Sequence, residues 1–365
     1  MKFVCEKDEI IKEISAANEI VETKNALSIM ANVYLEAADN ELTIRATDLK
    51  VGAEVKIPVE MEEPGSLTAP CNKLLVILKS LPAGRIVFAR EADRLTIKLE
   101  FKSIDFSLKL IEAEKYPEIL EPPEGGFFEV PQKDWVEMIA NTHFAVCTDV
   151  SRYFLGGAFV ERKDGKLNMV ATDGRRLSFA SKAANGEDQD GVIVPTKILN
   201  MLRKLLPGEG NLSIAATGRQ IFVHYGGYQF YSNLVEGQFP NYHRVIPETQ
   251  EYRLIVAREE LERAVRRVAL VTEQKSLRVH LKLSENKIAV TSEANEIGTG
   301  SEELACEYSG PENSIAFNCH YLTEPLREMD SEKVSLEYTD PNKAVTVRAV
   351  PEKDYFHIFM PMNVE

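Results

Sequence analysis

The chain has 365 residues, 44% apolar and 27% charged, with 43 Lys and Arg against 57 Asp and Glu for a formal net charge of −14. That composition excludes a disordered chain, a collagen-like repeat and a coiled coil, and at roughly 150 residues per domain it leaves room for two or three domains. The charge argues against binding nucleic acid by overall basicity, though not against a basic surface placed locally.

In chain order, the opening Met1-Lys2-Phe3 leads to Glu6, Lys7, Asp8 and Glu9, which interrupt any apolar leader, so no signal peptide is expected. Asp8 stands as N-cap before Ile10, Ile11, Ile14, Ala17 and Val21, whose spacing predicts a helix running out at Thr23-Lys24. A strand over 42–45 ends in Ala46-Thr47-Asp48, read as a turn whose Thr and Asp bond local backbone. A short helix over 72–81 is stopped by Pro82 and Gly84, and two alternating segments, 85–89 and 95–99, make a hairpin. Pro122-Pro123-Glu124-Gly125-Gly126 reads as a linker.

The series then repeats. Trp135, Val136, Ile139 and Ala140 predict a helix ending at Thr148-Asp149; a strand ends in Ala171-Thr172-Asp173; a helix over 196–206 meets Pro207 and Gly208; and a hairpin uses 212–215 and 221–225. A second linker is read at 247–251. The third round has a helix on Leu261, Ala264, Val265 and Val268 ending at Thr272-Glu273, a weaker triplet Thr291-Ser292-Glu293, a degenerate segment 319–330 carrying Pro325, and a hairpin of 334–338 and 345–350. This is three tandem copies of one unit of roughly 120 residues, bounded at 1–124, 127–247 and 252–365. Each copy has about two helices and many short strands, which makes the fold class α+β.

Catalytic patterns are absent from the sequence: no GxxxxGK[ST], GxGxxG after a strand, HExxH or GxSxG occurs. The six histidines show no metal-ligand spacing, and Asp188-Gln189-Asp190-Gly191 starts like a calcium loop without its terminal Glu. No cofactor, metal or catalytic residue is expected, and no apolar run of ~18 residues spans a membrane. The five cysteines are scattered without a CxxC, which suits a reducing cytoplasm. A hydrolase built on dispersed carboxylates such as Asp173 or Glu293 is the enzymatic alternative.

Positive charge is concentrated on the repeated short helices. Lys73 and Lys79 are the only charges between 72 and 81; Lys197, Arg203 and Lys204 are the only ones between 196 and 206. Arg263, Arg266 and Arg267 add to the set, beside Glu259, Glu260 and Glu262. If the copies lie on an arc with these helices inside, the inner wall is basic and would hold a phosphate backbone without reading bases.

Several stretches resemble the bacterial DNA polymerase III beta subunit, the sliding clamp family, over the full length. The carriers are Ala171-Thr172-Asp173-Gly174-Arg175-Arg176-Leu177, the run from Gln238 through Phe239-Pro240-Asn241-Tyr242-His243-Arg244-Val245-Ile246 to Pro247, Arg152-Tyr153-Phe154-Leu155-Gly156-Gly157, and Met360-Pro361-Met362. The resemblance implies a head-to-tail homodimer forming a ring of six domains around double-stranded DNA. It implies as partners the polymerase III catalytic subunit, an ATP-using clamp loader and other proteins with a clamp-binding motif. Its partner pocket maps to Leu155, Thr172, Gly174, Arg176, Leu177, Pro240, Arg244, Val245, Ile358, Met360, Pro361 and Met362, with Arg175 standing where the family often has His. Lys24, Arg152 and Tyr153 match DNA-contacting positions, and the ring seam maps to Phe106 and Leu108 against Leu270 and Val271. The end Asn363-Val364-Glu365 departs from the family in placing an acid after Met362. The alternative reading is a peptide-binding scaffold that does not encircle DNA.

Overall fold

The computed structural model describes residues 1–21 and 29–362. Its helices among these residues are α1 (Lys7–Ile20), α2 (Cys71–Ser80), α3 (Gln132–Ala140), α4 (Thr196–Leu205), α5 (Arg258–Ala269) and α6 (Cys319–Glu328). The chain divides into two compact units, residues 1–132 with 204–234 and residues 133–203 with 235–365. The division cuts through the sequence repeat, and the strand pairing explains why.

In the first unit an eight-stranded antiparallel sheet runs in the order Phe128–Pro131, Asn211–Ala216, Gln220–Tyr225, Tyr228–Asn233, Val51–Pro58, Glu41–Thr47, Asn32–Ala38, Gly65–Pro70. Tyr228 faces Val55 and Ser232 faces Val51, so half the sheet comes from the first copy and half from the second. A five-stranded sheet runs Glu60–Glu63, Lys2–Glu6, Arg85–Glu91, Arg94–Leu99, Asp105–Lys109 and leaves the last as an open edge. Helix α1 packs on α2 and on the sheet, burying Ile10, Ile14, Ala17 and Ile20. Glu13 shares that buried face, where burial raises its pKa and its carboxylate accepts a hydrogen bond from the Tyr228 hydroxyl.

The second unit repeats the arrangement. Its eight-stranded sheet runs Gln189–Pro195, Gly157–Lys163, Lys166–Thr172, Arg176–Ala183, Tyr355–Phe359, Val345–Val350, Lys333–Tyr338, Tyr252–Ala257, joining the second copy to the third. Its smaller sheet, Ser301–Ala305, Lys287–Ser292, Arg278–Ser284, Asn313–Asn318, again has open edges, and α5 packs on α6. Leu261, Ala264, Val265 and Val268 are all buried, as their spacing predicts.

Several local expectations are corrected. Asp8 is not the cap: α1 begins at Lys7, Glu6 is its N-cap without a side-chain bond, and Asp8 sits in the first turn, where the helix dipole favours an acid. Thr23 and Lys24 lie outside the described residues. Helix α3 stops at Ala140 and a separate 3-10 turn covers His143–Ala145, so Thr148 ends a loop. Met138, not Val136, joins Trp135 and Ile139 as fully buried on α3. The segment carrying Pro325 is an intact helix. Asn318 caps it by accepting from the His320 N–H at 2.9 Å, and burial of Leu322, Pro325 and Leu326 offsets the hydrogen bond that proline cannot donate.

Gly191 belongs to the strand Gln189–Pro195, opposite a bulge between Val160 and Arg162. A Cβ there would lie 1.9 Å from Phe159 Cζ. Phe159 stacks on Phe239 at 4.9 Å between ring centroids, so the glycine is required by close approach of the ring. Gly191→Ala should therefore destabilise the fold by about 1–3 kcal/mol, the range for overpacking a core. A drop of several degrees in Tm by calorimetry is expected; an unchanged Tm would show that the ring moves freely.

Candidate functional site

The turn after the strand Lys166–Thr172 is built by its own side chains. Thr172 Oγ1 donates to the Arg176 carbonyl at 2.6 Å and accepts from the Gly174 N–H at 3.0 Å. Asp173 Oδ1 accepts from the Arg175 and Arg176 N–H groups at 2.9 and 3.1 Å. The first copy makes the same turn: Thr47 Oγ1 donates to the Val51 carbonyl at 2.9 Å and Asp48 Oδ1 accepts from the Lys50 and Val51 N–H groups at 2.9 and 2.7 Å. The third copy departs, since Glu293 instead pairs with Arg278 at 2.9 Å. In the second copy the turn edges a cavity. Gly174, at φ +83°, brings its backbone to that cavity's wall, a conformation glycine adopts without strain.

The cavity has a volume of about 330 Å³ and a mainly apolar wall. Leu155 enters from the 3-10 segment Val150–Leu155, Leu177 and Ile358 from strands paired residue to residue, and Pro240 and Val245 from the loop and 3-10 turn around Tyr242–Val245. Thr172, Gly174, Arg175, Arg176 and Met360 complete the predicted part of the lining. Met360 is held by its N–H donating to the Arg175 carbonyl at 2.9 Å and is half exposed. Phe239, Asn241 and Tyr242 also line the cavity; they belong to the run around Pro240 that carries the resemblance but are not among the pocket residues it maps. Arg244, Pro361 and Met362 are not in its wall; Met362 is anchored nearby, its N–H donating to the Ala316 carbonyl at 2.8 Å.

Arg176 stabilises this wall. Its Nε is 3.1 Å from Asp173 Oδ2, one Nη pairs with Glu324, and the other donates to the Phe144 carbonyl at 2.5 Å. The guanidinium also lies 4.7 Å over the Tyr321 ring. With each of its three guanidinium nitrogens bonded, Arg176 is a paired charge in the wall, while Arg175 remains exposed.

The chain matches the models of the DNA polymerase III beta subunit N-terminal domain over residues 1–120, central domain over 129–241 and C-terminal domain over 243–363. It is 42% identical to the beta sliding clamp of Treponema pallidum and 30% identical to that of Escherichia coli K12, with full coverage of both chains in each case. Among solved structures it superposes on the beta subunit of Pseudomonas aeruginosa bound to griselimycin with a TM-score of 0.94 at 31% identity, and on that of Thermotoga maritima with 0.93 at 25%, again over both full lengths.

The chain belongs to the DNA polymerase III beta subunit family. It is a DNA sliding clamp, an accessory protein of replication without catalysis of its own. The α+β fold in three clamp domains follows, and the hydrolase reading is set aside.

The residues expected to face DNA are placed unevenly. Lys73 and Lys79 are exposed on α2 with no carboxylate in ion-pair range among the described residues. Lys197 is half buried on α4. Arg203 is 2.5 Å from Glu328 and 3.1 Å from His143 Nε2, and Lys204 is 2.7 Å from Glu19. Arg152 donates to the Asp173 carbonyl at 2.6 Å and pairs with Asp149, which ties it to the cavity turn; Tyr153 is exposed beside it. Lys24 lies outside the described residues.

Beneath the cavity, His357 is fully buried, its Nδ1 3.0 Å from Ser178 Oγ. Burial first, and then the positive charge of Arg176, pull its pKa from 6.5 down to about 3. The folded chain therefore keeps His357 neutral while the unfolded chain takes up a proton below pH 6.5. Its contribution is complete above the unfolded value and is lost as pH falls from there towards the folded one, by up to about 1.4 kcal/mol per pH unit. Urea unfolding between about pH 6.5 and 4.5 should show a steeper loss of stability for the native chain than for His357→Gln, by about one proton. Parallel slopes would show that His357 protonates in place.

Proposed function

We propose that two copies of this chain close head to tail into a ring that encircles double-stranded DNA and tethers the polymerase III catalytic subunit. The sheet edges carry this reading. Each eight-stranded sheet joins successive copies through a fully paired centre, whereas the two smaller sheets end in open strands, Asp105–Lys109 and Ser301–Ala305. Pairing these across a subunit seam continues the pattern and covers edges that otherwise invite aggregation.

The side chains at the two edges agree. Phe106 and Leu108 alternate as half-buried residues on one face of the first strand, and Phe101, 96% exposed, sits in the turn before it. On the other edge, Leu270 is 79% exposed and Val271 packs against Gly300 just before Ser301–Ala305. This apolar surface is what a partner edge would cover.

In the proposed division the domains are 1–124, 127–247 and 252–365. Lys73, Lys79, Lys197, Arg203, Lys204, Arg152, Tyr153 and Lys24 supply contacts to DNA phosphates. The apolar cavity takes Leu and Phe side chains of an extended partner segment, with Met360 adapting to different peptides and Arg244, Pro361 and Met362 at its margin. The ring works in the cytoplasm, is opened by a clamp loader that uses ATP, and serves other proteins bearing the same motif. Tethering raises the effective concentration of polymerase at the template and lowers no chemical barrier.

Loading onto nicked circular DNA with the cognate loader, followed by linearisation, tests the ring. Retention on circles with rapid loss from linear DNA is expected. Equal retention on both would mean ordinary affinity binding, and absence from circles with an active loader would favour the scaffold without encirclement.

The seam makes a separate prediction. Phe106→Asp with Leu108→Asp should convert the dimer to a folded monomer in sedimentation and abolish retention on circles. A variant that stays dimeric would place the seam elsewhere.

A further inference from the structure

A second cavity of about 460 Å³ lies in the same unit as the apolar one. The two share Tyr242, whose ring is buried between them and whose hydroxyl donates to Glu161 at 2.6 Å. They also share one face of one strand pair. Leu177 faces Ile358 in the first cavity, and two residues along, Phe179 faces Phe356 in the second, with the two rings stacked at 4.9 Å. Two residues along an extended strand is about 7 Å. The cavities are therefore neighbours along the strand direction, separated by the 3-10 turn Tyr242–Val245, whose His243, Arg244 and Val245 are exposed.

The charge along this track is unusual for a chain of net charge −14. Arg175 at the first cavity, Arg244 on the turn, and Lys163 and Lys166 at the second are exposed and have no carboxylate in ion-pair range among the described residues. Lys163 and Lys166 are moreover direct cross-strand partners at the end of their hairpin. Like charges placed directly opposite destabilise a hairpin; the acid bonded to this tip is Asp188, whose Oδ1 accepts from the Asp164 N–H at 3.0 Å. The acids in the same lining are Asp164, in the turn between the two lysines, and Asp354, 4.0 Å from Lys182; Lys353 is held by Asp330.

We infer that the partner segment seated in the apolar cavity continues over the Tyr242–Val245 turn into the second cavity, and that this continuation is acidic. The inference rests on the peptide-pocket reading above. An apolar or aromatic side chain of the continuation covers the Phe179–Phe356 stack, and Asp or Glu residues meet Arg244, Lys163 and Lys166. Such exposed contacts tune selectivity and association more than they set base affinity.

The test uses synthetic peptides on the full-length clamp, read by fluorescence anisotropy. One is a short peptide with a Leu-Phe pair alone. Two others extend it by Asp-Glu-Asp-Glu on either side, and two controls extend it by Ser-Gly-Ser-Gly. One acidic extension should bind about fivefold tighter than its neutral control, and the gain should shrink at about 0.5 M salt. K163E/K166E, at exposed hairpin positions, should abolish that gain and leave the unextended peptide unchanged. Equal affinity of acidic and neutral extensions, or a gain that survives K163E/K166E, overturns the inference while the pocket reading stands. If the unextended peptide fails to bind, or binds Leu177→Asp as well as the native clamp, the pocket reading falls and this inference with it.

Discussion

The antiparallel pairing of Arg176–Ala183 with Tyr355–Phe359 is the constraint on which the functional part of the molecule depends. It merges the half-sheets of the second and third copies into one. The register then follows from burial. Leu177 and Ile358 share one face and His357 with Ser178 the other, so a slip by one residue would put the histidine into the cavity and Ile358 into the core beneath it. The apolar cavity is thus not a defect in packing but the place where two copies of one unit meet and their loops fail to fill the space above the sheet. Met360 continues the register by one more backbone hydrogen bond to Arg175, which ties the end of the last strand to the turn of the second copy.

Arg176 shows how a cation can line an apolar site. A guanidinium facing a cavity without partners would be costly to dehydrate, and would prefer water to a hydrophobic ligand. Here Asp173, Glu324 and the Phe144 carbonyl take its donors and Tyr321 takes one of its faces. Glu324 comes from α6, so the helix carrying Pro325 contributes directly to the wall of the site. The buried neutral His357 obeys the same logic: next to a fixed positive charge, the uncharged imidazole is the form that belongs in the core.

Local chemistry made much of this legible. The Thr-Asp turns, the helix stripes of α1 and α5 and the hairpins depend on neighbours within a few residues, and they stand where the spacing puts them. Tyr242 and Phe239 stand in the run that carries the resemblance but not in the pocket mapped from it, because their side chains act through distant partners: Tyr242 reaches Glu161, and Phe239 stacks on Phe159. Glu13 reads as a polar break in the α1 stripe, and nothing near it in sequence announces the Tyr228 hydroxyl that satisfies it. The same limit applies to Arg203 and Lys204. Helix periodicity shows them as free cations on an acid-free helix, while their carboxylates, Glu328 and Glu19, come from other copies of the repeat.

Those last pairs bear on how a net acidic clamp can slide. If every cation on the proposed DNA face were free, the summed attraction to phosphate would favour one tight register and oppose translation. Neutralising Arg203 and Lys204 in place lowers that attraction but keeps their charge available, because an exposed pair such as Lys204 with Glu19 is worth little and exchanges readily. Lys73 and Lys79, without carboxylate partners among the described residues, would then provide the persistent contacts. A DNA face of this kind would be weak at each point, and on the proposed reading its hold on DNA would come from closure of the ring. That would place the energetic demand on the proposed seam edges, Asp105–Lys109 and Ser301–Ala305, and remove it from the DNA surface.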